Sequence, residues 1–104
     1  MIYRMRTYRA IPDQIDAFNH FFLHHLLPVQ QRHGARLIGR WHTQDDRIVA
    51  VWEYDDRASY ERIEQAVRAD PHMATAREVR ATLGPLFTHQ EEIFMTSTVM
   101  PADA

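Results

Sequence analysis

The chain has 104 residues, 45% hydrophobic and 25% charged, with a net charge of −2 when its histidines are neutral. That fits one globular domain with a modest core and excludes a disordered chain, and the charge offers no footprint for nucleic acid or an anionic membrane. There are no cysteines and all twelve cationic side chains are arginines, which excludes disulfides, thiolate metal sites, a cysteine nucleophile and Schiff-base lysine chemistry. No apolar run reaches the length of a membrane span. The N-terminus reads as a strand and not as a signal peptide, so a cytoplasmic protein without membrane insertion is expected.

The first element is a strand over Ile2 to Tyr8, where β-formers alternate. Pro12 and Asp13 then suit a helix start, because proline is tolerated in the first turn and an acid favours the dipole. Ile11, Ile15, Phe18, Phe22, Leu26 and Val29 recur at three- and four-residue steps and form one apolar stripe. Pro28 should kink or restart this helix, and Gly34 should stop it. Two strands follow, Ala35 to Thr43 and Ile48 to Asp55, joined by the polar hairpin loop Gln44 to Arg47. Asp56 can cap a second helix with Tyr60, Ile63 and Val67 on its inner face. Asp70-Pro71 ends that helix and can open a third, short one containing Val79 and Leu83. A final extended segment runs from Leu86 to about Val99, and the tail 101–104 is expected to be loose. The order is that of the split βαβ fold: an α+β, ferredoxin-like sandwich with a four-stranded antiparallel sheet and helices on one face.

Such a sheet leaves one face uncovered. Alternation sets Met1, Tyr3, Met5, Leu37, Trp41, Val49, Val51 and Ile93 on one side, expected to meet the helices. Opposite lie Arg4, Arg6, Tyr8, Ile38, Arg40, His42, Ile48, Trp52, Tyr54, Glu92 and Phe94. That second set is too apolar for a solvated surface and too charged for a dry core. A partly wet cavity closed by a second sheet satisfies both demands, so a homodimer is expected.

Several segments carry a resemblance. Met1-Ile2-Tyr3 is followed by Arg6-Thr7-Tyr8, and Leu27-Pro28 by Gln31-Arg32-His33-Gly34. Trp52, Tyr54-Asp55-Asp56, Ala69-Asp70-Pro71 and Gln90-Glu91 follow in order. Over nearly the whole chain this set resembles the NIPSNAP family, with Arg4 and the short loop at Asp45-Asp46 as departures. The resemblance implies the dimeric α/β-barrel superfamily, with one domain over residues 1–100 and two sheets closing face to face.

The chemistry on offer is limited. Asp16, His20 and His24 share one helix face at metal-ligand spacing, but that face lies opposite the apolar stripe and reads as solvated, so no metal is expected. No other cofactor is expected: the three glycines supply no phosphate loop, and Ser59 lacks a nucleophile elbow. His33 either complements a helix end or serves a pocket. Arg6, Tyr8, His42, Trp52 and Tyr54 are the candidate ligand-binding residues, with His42 a possible proton shuttle. The competing reading has Arg6 paired with Glu92 and the aromatics filling a dimer seam. Charge accounting favours a pocket: Arg4 and Arg6 project to one face, Glu92 can pair with one, Gln90 can bond the other, and a leftover guanidinium suits an anion. Two functions follow. One is a module that binds a small apolar or anionic molecule. The other, by analogy with relatives of the fold, is a cofactor-independent monooxygenase or isomerase acting on an aromatic or polyketide-like substrate.

Overall fold

Four strands, β1 (Ile2–Ala10), β2 (Arg36–His42), β3 (Arg47–Tyr54) and β4 (Phe87–Met95), form one antiparallel sheet in the order β2-β3-β1-β4. Between β1 and β2 run a 3-10 turn at Pro12–Gln14, α1 (Ile15–Phe21), a π turn at Phe22–Leu26 and α2 (Leu27–Arg32). Between β3 and β4 run α3 (Arg57–Ala69) and α4 (His72–Leu83), the latter 12 residues long and not the short helix expected. This computed structural model describes residues 1–99, so the tail expected at 101–104 lies outside the described residues. Among the described residues no helix is long and apolar enough to cross a membrane.

Local chemistry sets the element ends. Pro28 has no N–H to give and sits in the first turn of α2; ahead of it the Leu27 N–H donates to the Phe22 carbonyl, five residues back. That wide turn is the restart the proline predicts. Gly34 takes φ 98° after α2, a left-handed conformation that suits a residue without a Cβ. Asp56 caps α3 by accepting from the Ser59 N–H at 2.7 Å. Asp70 accepts from the His72 N–H at 2.9 Å and so opens α4.

The helices pack on one sheet face, and it is the face expected to point away from them. Ile48, Ala50, Trp52 and Tyr54 are all buried beneath helix residues such as Phe18, Phe22, Ile63 and Val67. Strand alternation therefore groups most residues correctly, but the two faces are exchanged. Both faces carry large apolar groups, and a period of two says which residues share a face without saying which face a helix covers. Trp52, Tyr54 and Ile48 belong to the core of the subunit and not to a seam between subunits.

Strand β2 departs in a second way. A bulge at Ile38 sets Leu37 opposite Trp52 and Arg40 opposite Ala50, so both lie on the helix side although they are three apart. Trp41 pairs with Val49 on the outer face. Its indole covers Gly39 so closely that a Cβ there would lie 2.4 Å from the ring. Among the described residues no helix covers this outer face. It presents Tyr3, Met5, Val49 and Val51, all half-buried, with Trp41 and Ile93 52% and 50% exposed.

Candidate functional site

Between the helix-side face of the sheet and the helices lies a cavity of about 200 Å³. Its floor is β1, β2 and β3, through Arg6, Tyr8, Arg40 and Trp52; Phe18 and Phe22 wall it from the first helical segment and Glu64 from α3. Alternation in β1 puts Arg4, Arg6 and Tyr8 on this floor, and the bulge in β2 turns Arg40 toward it.

The three arginines are held differently. Arg4, 4% exposed, forms an ion pair with Glu92 on the adjacent β4, and its Nη1 lies 3.8 Å from Glu64 Oε2. Burial works against its charge, but the Glu92 bond and the Glu64 field outweigh it, and the pKa is raised. Arg6 donates from Nη2 to Gln90 Oε1 at 2.9 Å, while its Nε is buried without a hydrogen-bond partner. Arg40 donates from Nη1 to Asn19 Oδ1 at 2.6 Å, and its Nη2 is buried without a partner. Neither Arg6 nor Arg40 has a carboxylate within ion-pair distance among the described residues. Burial lowers the Arg40 pKa to about 10, with Tyr8 nearby opposing the shift. Burial also raises the Tyr8 phenol, against the pull of Arg6, Arg4 and Arg40.

Three of the five candidate residues, Arg6, Tyr8 and Trp52, thus line one cavity. Tyr54 does not; it is 1% exposed and packs edge-on to Tyr60, with ring centroids 5.1 Å apart. His42 does not either. It lies exposed at the end of β2, with its Nε2 2.9 Å from Asp46 Oδ1. His33 bonds Asp70 at 2.7 Å, tying the end of α2 to the end of α3. Asp16, His20 and His24 lie on an exposed helix face, and no group of three or more potential ligands among the described residues is placed to hold a metal.

Sequence reasoning omits Arg40 and Glu64 from the site. Arg40 has a legible signal, an arginine on an apolar strand with no acid beside it. Glu64 has none, because which acid on α3 meets Arg4 depends on how the helix packs. The charge accounting itself finds its partners: Glu92 takes Arg4, Gln90 takes Arg6, and the helix adds the carboxylate that strand alternation could not supply.

Chemically, the cavity offers cationic donors among aromatic walls, together with two buried acceptors without hydrogen-bond partners, Gln30 Oε1 and Glu64 Oε2. None of the seven histidines lines it, so proton transfer there would fall to the Tyr8 phenol or the Glu64 carboxylate.

The NIPSNAP family model matches residues 3–100. A NIPSNAP domain protein of Burkholderia xenovorans superposes with a TM-score of 0.80 at 25% identity, over 99% of this chain and 100% of that one. A protein of Agrobacterium tumefaciens gives a TM-score of 0.82 at 21% identity, over 97% and 98% of the two chains. A Streptomyces coelicolor monooxygenase solved with nanaomycin D shares the fold at a TM-score of 0.65 and 16% identity, over 97% and 92%. Among curated protein sequences nothing matches the chain. With the family model spanning nearly its full length, the chain belongs to the NIPSNAP family.

Proposed function

We propose that this NIPSNAP-family protein binds a small anionic molecule with an aromatic or apolar body, one in the cavity of each subunit of a homodimer. The observation that carries the reading is the pair of guanidinium nitrogens, Arg6 Nε and Arg40 Nη2, buried without partners beside the cavity. Buried donors are normally satisfied, and a bound carboxylate, phenolate or enolate would satisfy these with charge-assisted bonds. Phe18, Phe22 and Trp52 would hold the rest of the molecule.

Calorimetry with 2-naphthoate and its neutral carboxamide tests this. The carboxylate should bind, the carboxamide much more weakly, and Arg40→Met should weaken the carboxylate by about tenfold or more. Equal binding of acid and amide would sink the reading.

The homodimer rests on the outer sheet face. Six apolar side chains, Tyr3, Met5, Val49, Val51, Trp41 and Ile93, share a surface that no helix covers. A second copy seated there would bury an area on the order of 2,000 Å², the scale of a stable dimer. Sedimentation revealing a monomer at micromolar concentration would remove this part of the proposal.

A second reading is a cofactor-independent monooxygenase or isomerase acting on an aromatic or polyketide-like substrate. It is supported by the likeness to the S. coelicolor monooxygenase and by arginines suited to an enolate or phenolate. Oxygen uptake on adding a polyhydroxynaphthalene, lost in Arg40→Met, would favour it; no turnover would leave binding alone.

A further inference from the structure

The cavity shares a wall with a second space. Tyr8, Phe18, Leu26 and Met73 line the cavity on one side and on the other line this space of about 250 Å³, between α4 and the β1–β4 edge of the sheet. This second space is open to the surface and mostly apolar, with Phe21, Ala76 and Phe87 on its walls. Tyr8, Phe18 and Phe87 pack edge-on or tilted against one another at this shared wall, their ring centroids 4.9 to 5.6 Å apart. Met73 stands at the junction, half-buried in the first turn of α4, and packs against both core clusters of the subunit. It is the one unbranched, flexible side chain among the four, suited to yielding to a guest. Arg6 also borders both spaces, so a cation sits at the point where the polar chamber meets the apolar trough.

We propose that the two spaces form one elongated binding site for an amphipathic monoanion, its acidic head beside Arg6 and Arg40 and its apolar tail passing Met73 into the trough. This deepens the anion-binding reading and rests on it. The exposed surface of the trough is mostly apolar, so it accepts an alkyl chain or a further ring, although Arg77, Arg80 and Gln90 also line it. Selection of ligand length then falls to Met73, and selection of charge to the arginines.

The test is calorimetry with benzoate and with butanoate, hexanoate, octanoate and decanoate, on the full chain and on Met73→Trp. Benzoate occupies only the head chamber and should bind the unaltered protein. Among the alkanoates, affinity for the unaltered protein should rise about threefold to fourfold per methylene once the chain enters the trough. Met73→Trp should flatten that series by filling the passage. If benzoate binds but the series is flat in the unaltered protein, the elongated site is overturned and the anion-binding reading stands. A series equally steep in Met73→Trp overturns it too, because the tail then follows another route. If neither benzoate nor any alkanoate binds, both readings fall. The chain-length series on the unaltered protein decides the matter even where the tryptophan variant does not fold.

Discussion

The Arg40 guanidinium lies 4.4 Å from the centre of the Phe22 ring and has no carboxylate within ion-pair distance among the described residues. Phe18 holds it from another side at 4.9 Å, and burial lowers its pKa to about 10. Folding thus works against this charge, while ring contacts and the Asn19 bond only partly compensate. A group of that kind costs stability, and under the proposed function it serves the ligand. Arg40→Met keeps the length and the apolar stem. It should leave the melting temperature unchanged or raise it by a few degrees, on the scale of ~1 kcal/mol for a domain this size. The same variant should bind 2-naphthoate about tenfold or more weakly. A marked fall in melting temperature would mean that Arg40 holds the fold together.

The two aromatic residues Trp41 and Trp52 should separate association from folding. Trp41 is exposed over Gly39 on the outer face, whereas Trp52 is 4% exposed under Phe22. Trp41→Asp, or Val51→Asp beside it, should give a monomer in sedimentation with a melting temperature that no longer depends on protein concentration. Trp52→Ala should instead lower stability by roughly 3–5 kcal/mol, the usual loss for emptying a large aromatic site in a core. Identical behaviour of the outer-face variants and the parent in sedimentation would exclude this face as the interface.

Asp70 should make the helix junction sensitive to acid. Its carboxylate accepts the His72 backbone N–H, then bonds His33 and Arg32, and these contacts hold its pKa down at about 2. A carboxylate with a depressed folded-state pKa contributes stability that is fully present above its unfolded value of ~3.9. That contribution is lost as pH falls through that value toward the folded value of about 2. Asp70→Asn should therefore be less stable than the parent at pH 6, with the difference shrinking toward pH 2 in urea titrations. A difference independent of pH would mean that the carboxylate's charge plays no part.

How far the fold could be read from the chain depends on which interactions are local. Pro28, Gly34, Asp56 and Asp70-Pro71 act on their immediate neighbours, and each marks its element boundary as expected. The exchange of faces has a different origin. Arg4 and Trp52 look like residues for a seam, and Glu64 on α3 joins Glu92 on β4 in compensating an arginine buried beneath the helices. That is a tertiary fact with no local trace. The bulge at Ile38 also escapes a period-two reading, and it decides that Arg40 reaches the cavity. Tyr54 and His42 do not line it: one packs edge-on to Tyr60, and the other is exposed at the end of β2 and bonds Asp46.

Arg4 provides the contrast with Arg40. Both arginines line the same cavity, but Arg4 is bonded to Glu92 on β4 and has the Glu64 carboxylate of α3 3.8 Å away. The Glu64 side chain is 19% exposed, so its carboxylate depends on that neighbour far more than Glu92 does at 37%. Arg4→Met should leave Glu64 facing a cavity floor without its cation and cost on the order of 3 kcal/mol in urea unfolding. Adding Glu64→Leu should restore most of the loss, since a buried pair can often be exchanged for apolar groups of similar size. Because Arg6 and Arg40 remain, the double variant should still bind 2-naphthoate within a few-fold of the parent. Recovery of stability with binding intact assigns Arg4 to the fold and leaves the other two arginines for the ligand. Recovery of stability with binding lost would instead make Arg4 part of the anion site, its ion pair with Glu64 then being one that the ligand must displace.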